Sequence, residues 1–171
     1  MTKLRPEQFV RTYLPFARQT QEETGIDARF TLAQAALESG WAGSAPGNMF
    51  FGVKANSETT PEGRRQLLTT KEILSHPNAT FPHTISVTPL GNGKYLYTVK
   101  DWFRRYETPE ESFTDHARLF LNNQRYHKAL EVKHDPYLFA EAVAKAGYAT
   151  APDYGRTLRN VIRTIERYIP I

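Results

Sequence analysis

Apolar residues recur at helical spacing towards both ends of this chain and alternate with polar residues through its middle. Phe9, Val10, Tyr13, Leu14 and Phe16 form one broad face after Pro6, a residue suited to a first helical turn, and Gly25 supplies a stop. The spacing predicts a helix over 6–24, with Pro15 as a point where it can kink. Asp27 fits the N-cap of a second helix over 28–39, where Leu32, Ala33, Ala36 and Leu37 repeat helically. Its alanines let neighbouring helices come close, which marks it as central. Residues 40–65 carry Gly40, Gly43, Pro46, Gly47, Gly52, Pro61 and Gly63 and read as loop. The pattern then changes period. "RQLLTTKEIL" and "KYLYTVKDWFRRY" are strand-like, and the turn-rich segment between them holds one short strand candidate, "HTISV". A small antiparallel lobe is predicted over about 64–106. Thr108, Pro109 and Glu111 then match a capping box opening a helix to about Leu121. Short helices follow at 124–132 and 136–146. The last helix begins near Pro152, with Leu158, Ile162, Ile165 and Ile169 on one face.

This is a mainly α plan with one β lobe, read as a single domain over residues 1–171. Apolar residues make up 40% and charged residues 23%, a balance that supports a packed core. Lys and Arg number 22 against 18 Asp and Glu, and the sequence pI is about 9.3, which favours anionic partners. The positive residues are scattered, so nucleic acid is not an expected partner. Disulfides and thiolate chemistry are excluded, because the chain has no cysteine. The N-terminal stretch has no uninterrupted apolar run of the signal-peptide kind, and no stretch is long enough for a membrane span. The five histidines lack metal-ligand spacing, so neither a metal nor a cofactor is expected, and His116 reads as a packing residue on its helix.

Glu38 falls in the last turn of the second helix, just before Ser39, Gly40 and Trp41. The negative end of the helix dipole disfavours an ionised carboxylate there, and Leu37 and Trp41 add desolvation. Both effects favour the protonated acid, the form a general acid needs in glycosidic cleavage. A solvated helix-end glutamate is the plainer reading of the same spacing.

The surroundings of Glu38 separate these readings. "AALESGW" (35–41) and "NMFFGVKA" (48–55) resemble the paired motifs of glycoside hydrolase family 73, the flagellar-type peptidoglycan N-acetylglucosaminidases. "FRRYETPEESFTDHARLF" and "AVAKAGYATAPDYGRTL" resemble two further segments of that family, in the same order. The resemblance implies a lysozyme-like helical domain with its small antiparallel β lobe over a sugar-binding groove. It implies cleavage of the β-1,4 bond between N-acetylglucosamine and N-acetylmuramic acid. Glu38 matches the family's proton donor. Glu72, in "LLTTKEIL", is the best match to its second acid, with Glu58, Glu62 and Asp101 as alternatives. The stretch from Ile73 to Gly93 is longer than the family's usual hairpin. Tyr148 matches a functional tyrosine, and Tyr154 a second aromatic that packs or lines the groove. Where the family usually has Asp before Pro152, this chain has Ala151.

Trp41, Phe50 and Phe51 are candidates for stacking on sugar faces, with Asn48 beside them as a polar contact. The expected partner is the glycan strand of peptidoglycan, and the expected state is a monomer. Action at the wall would require delivery by phage lysis, by a secretion machine or within a larger parent protein. A muramidase or lytic transglycosylase on the same scaffold, or a non-catalytic glycan-binding module, are the alternative functions.

Overall fold

The computed structural model describes residues 2–170. The chain forms two compact units: a helical one built from the residues up to Phe51 and from Glu107 onwards, and a second one, Gly52–Tyr106, built on a sheet.

Five helices make the first unit: α1 (Pro6–Thr24), α2 (Ala28–Ser39), α3 (Pro109–Asn122), α4 (Pro136–Lys145) and α5 (Tyr154–Glu166). Helix α1 runs through Pro15 and stops at Gly25, whose φ of +75° is in the left-handed region and whose N–H donates to the Gln21 carbonyl. Asp27 caps α2, its Oδ1 accepting from the Arg29 N–H at 2.8 Å, while the Arg29 guanidinium grips the same carboxylate in a fork. Helix α2 is buried on almost every side, at Phe30, Leu32, Ala33, Gln34, Ala35 and Ala36 among others. It packs against α1, α3, α4 and α5, the central place its alanines predict. Phe30 anchors the aromatic cluster Phe120–Phe139, with ring centroids 5.7 and 4.5 Å away.

The capping box before α3 forms with a shift. Thr108 Oγ1 accepts from the Glu111 N–H, but the Glu111 carboxylate reaches back to the Glu107 N–H, one residue before the cap. The segment predicted helical over 124–132 is two separate 3-10 turns, Gln124–Tyr126 and Ala129–Val132. On α5, Leu158, Ile162 and Ile165 are fully buried, as their spacing predicts; Ile169 lies past the helix end and is half-buried.

The second unit holds three antiparallel strands, β1 (Arg65–Leu74), β2 (His83–Gly91) and β3 (Lys94–Arg104), in the order β1-β3-β2. Strand β3 is central and carries the buried Tyr97, Val99 and Phe103. Strand β2 continues past "HTISV" to Gly91 and is exposed at all of its residues. Its Pro89 sits at an edge, where a missing N–H is tolerated. The long connection between β1 and β2 is held by Tyr97, whose hydroxyl donates to the His76 carbonyl at 2.7 Å and accepts from the Ala79 N–H.

Candidate active site

The segment after Glu38 turns in an unusual conformation. Gly40, Trp41 and Ala42 have φ of 59°, 57° and 66°, three consecutive left-handed residues of which only one is glycine. Each non-glycine residue there costs about 1–2 kcal/mol, so something must hold it. Ser39 does much of this. Its hydroxyl donates to the Ala35 carbonyl at 2.6 Å and accepts from the Ala42 N–H at 2.9 Å. Trp41 is tied by its carbonyl to the Leu4 N–H and packs edge-on against Phe9, centroids 5.4 Å apart. The turn therefore fixes the end of α2, the stretch of backbone that carries Glu38.

Glu38 lies at the surface, yet enough protein surrounds its carboxyl for desolvation to raise its pKa. A hydrogen bond from the Tyr154 hydroxyl opposes that rise without cancelling it. Tyr154 starts α5 and is buried; Tyr148 stacks on it with centroids 5.4 Å apart and planes 29° apart. Both phenols are pushed far above their ordinary pKa, mainly by burial and partly by the Glu38 charge. Each therefore keeps its proton. Tyr148 is placed by a helix-ending turn in which Gly147, at φ +90°, lets the Gly147 and Tyr148 N–H groups reach the Ala144 and Val143 carbonyls. Three of the sequence candidates, Glu38, Tyr148 and Tyr154, thus meet in the helical unit.

Two more residues join them. The Gln34 amide, one helical turn before Glu38, donates to the Tyr154 oxygen at 3.0 Å. Its carbonyl oxygen meets His116 Nε2 at 2.8 Å. His116 is buried, its pKa lowered by desolvation to about 3, and its ring stacks on Phe51 at 3.6 Å. Sequence reading missed Gln34 and took His116 as packing alone. The usable signal was Gln34 itself: an amide among Leu32, Ala33, Ala35 and Ala36 needs a buried partner.

The aromatic candidates of the loop turn inwards. Phe50 is 3% exposed, edge-on to Tyr13 and Phe113, and Phe51 is 5% exposed against His116. Neither has the open face that stacking on a sugar requires, so their part is to support the helical unit. Asn48, at φ +58°, donates from Nδ2 to the Glu107 carbonyl at 3.1 Å and fastens the loop to the approach of α3.

In the sheet unit, Lys54 Nζ lies 2.6 Å from both Glu72 Oε1 and Asp101 Oδ2. The best second-acid candidate and one of its alternatives are therefore paired through one ammonium. Burial works against the Lys54 charge, but the two carboxylates overcome it and raise its pKa. Phe103 lies beneath the ammonium, 5.2 Å from its centroid. Glu58 and Glu62 are exposed in the loop before β1. Among the described residues, no group of His, Cys, Asp and Glu could hold a metal, and no helix is long and apolar enough to cross a membrane.

Residues 14–167 match the family profile for glucosaminidases, described as mannosyl-glycoprotein endo-beta-N-acetylglucosaminidase. The peptidoglycan hydrolase FlgJ of Pseudomonas aeruginosa is 31% identical over 169 residues, covering 95% of this chain and 37% of that protein. The exo-glucosaminidase LytG of Bacillus subtilis is 33% identical over 140 residues, covering 77% of this chain and 42% of that protein. The chain thus spans less than half the length of these relatives. The glycoside hydrolase domain of Salmonella typhimurium FlgJ superposes with a TM-score of 0.71 at 29% identity, covering 96% of this chain and 90% of that domain. By profile, relatives and lysozyme-like architecture together, this chain belongs to the glucosaminidase family of glycoside hydrolases.

Proposed function

We propose that the chain is a peptidoglycan hydrolase, an endo-β-N-acetylglucosaminidase that cuts the β-1,4 bond between N-acetylglucosamine and N-acetylmuramic acid. Glu38 is the proton donor. The observation that carries this reading is a surface-accessible carboxyl with a raised pKa beside two protonated phenols. A glycosidic oxygen leaves as an alcohol once it receives a proton as its bond to the anomeric carbon breaks. Desolvation raises the pKa of Glu38 and so holds the proton on it more tightly than on a fully solvated glutamate, which favours the acid form that gives that proton.

Positive charge then develops at the anomeric carbon. Glu72, fixed by Lys54, is the candidate to stabilise that charge or to direct a water, with Asp101 sharing the same ammonium. Tyr148, half-buried, is the phenol suited to holding an acetamido group, and Tyr154, read from sequence as packing or lining the groove, packs behind it. Trp41, half-buried, and Asn48 complete the substrate-binding residues in this reading. All 171 residues act as one catalytic domain, a monomer working on glycan strands at the cell wall.

Digestion of purified peptidoglycan, with products identified by mass, tests the assignment. Fragments ending in reducing N-acetylglucosamine are expected. Fragments ending in reducing N-acetylmuramic acid, or in its anhydro form, would contradict it and point to a muramidase or a lytic transglycosylase.

A further inference from the structure

No step of the chemistry proposed above uses strand β2 or the turn that joins it to β3. We propose that this end of the sheet is a contact surface for an anionic lipid bilayer, formed by Lys71, Ile73, Leu90, Lys94 and Lys100. The inference does not depend on which glycan bond is cut.

The strand register sorts the charges of the sheet by face. Successive residues of a strand point to opposite faces, and residues paired across strands share a face. Leu68 pairs with Asp101, and Glu72 pairs with Tyr97, so both acids lie on one face, where Lys54 holds them. The other face carries Arg65 and Lys71 of β1 with Lys94, Lys100 and Arg104 of β3, and no acid among its described residues. Those five formal positive charges exceed the net +4 of the whole chain, so the excess is local. Lys71, Lys94 and Lys100 are exposed, and none of them makes an ion pair among the described residues. Lys94 and Lys100 are six residues apart on β3, about 20 Å at the rise of a strand, too far for one small anion to bridge.

Exposed apolar side chains gather on the same sheet. Among the described residues eight large hydrophobics are exposed, and five of them, Leu67, Ile73, Ile85, Val87 and Leu90, are on β1 and β2. Ile73 is 61% exposed on the cationic face, two residues from Lys71. Leu90 is 48% exposed beside the turn that leads to Lys94. Lysines near an edge strand guard it against pairing with another chain, but that role does not call for exposed Ile and Leu beside them. An anionic polymer in water would satisfy the lysines and leave Ile73 and Leu90 wet. A bilayer with anionic headgroups suits both: the ammonium groups stay at the headgroups while the apolar tips reach the acyl boundary.

Co-sedimentation of the chain with unilamellar vesicles tests the proposal. At low salt it should bind vesicles holding about one quarter phosphatidylglycerol at least about tenfold more tightly than vesicles of phosphatidylcholine alone. Lys71→Gln/Lys94→Gln should weaken that binding at least about tenfold, since each lysine near such a surface is worth about fivefold. Ile73→Ser/Leu90→Ser should weaken it at least about threefold, because two apolar side chains no longer leave water. Circular dichroism shows whether each variant is folded; if one is not, the comparison of the two vesicles with the wild type decides. Equal binding to both vesicles, or to neither, would overturn the proposal. So would binding that the lysine changes weaken and Ile73→Ser/Leu90→Ser leaves as it was, the behaviour of a site for an anionic polymer.

Discussion

At Glu38 two influences of opposite sign meet, and burial outweighs the Tyr154 hydrogen bond. The consequence for stability can be signed. A folded pKa above the ordinary 4.5 means that the native state binds the proton more tightly than the unfolded chain. Stability is therefore lost as pH rises through the interval between the two values. Glu38→Gln should thus melt higher than wild type at pH 7, and the difference should vanish below about pH 4. Equal melting temperatures at pH 7 would remove the desolvation argument. Such an acid is held at a cost to the fold, as functional groups often are. In the sheet unit, Glu72→Gln should lower turnover at least about tenfold, and Lys54→Met should do so too by leaving Glu72 and Asp101 facing each other without a cation. Unchanged turnover in Glu72→Gln would transfer the second role to Asp101 or to the substrate's own acetamido group. The helix end before Gly40 was legible in sequence, but Glu38 was singled out by the resemblance of its surroundings to the family's motifs, since its spacing alone fits a solvated glutamate equally. The Gln34–His116 contact joins residues 82 positions apart, and no local pattern announces it.

At the scale of elements, the ends of helices were legible and the edge strand β2 less so. Asp27, Thr108 and Gly25 act through backbone groups two to four residues away, so their chemistry is written in adjacent letters. Asp27→Ala should cost about 1–2 kcal/mol in urea unfolding, since it removes the α2 cap and the partner of Arg29 together. A loss below about 0.3 kcal/mol would show that the cap is replaced by solvent. Strand β2 was read too short because Pro89 and Gly91 look like breakers. An exposed edge strand tolerates both, and register shifts between Thr84 and Ser86 and between Pro89 and Gly91 absorb the irregularity. Phe50 and Phe51 were read as sugar platforms because consecutive aromatics in a glycine-rich loop suggest a surface. The loop instead folds inwards, its Phe50 N–H donating to the Ser112 hydroxyl on α3.

Across the whole molecule, helices at both ends of the chain and strands in its middle were read from the change in period alone. That the outer helices form one unit, with α1 against α3 and α2 against α5, depends on long-range packing that periodicity does not encode. The formal charge of +4 is a property of the whole molecule too. Attraction to an anionic wall polymer should weaken as the screening length falls from about 10 Å at 0.1 M salt to about 3 Å at 1 M. Co-sedimentation of Glu38→Gln with insoluble wall should show less bound protein over that range. Salt-independent binding would mean that contacts within the site carry the affinity.

The central claim is that Glu38 gives the proton that breaks the glycan. Its most direct test is the turnover of purified peptidoglycan by wild type and by Glu38→Gln, both shown to be folded. A loss of about 100-fold to 10,000-fold in the variant is expected for a general acid. Wild-type turnover from the folded variant would contradict the account.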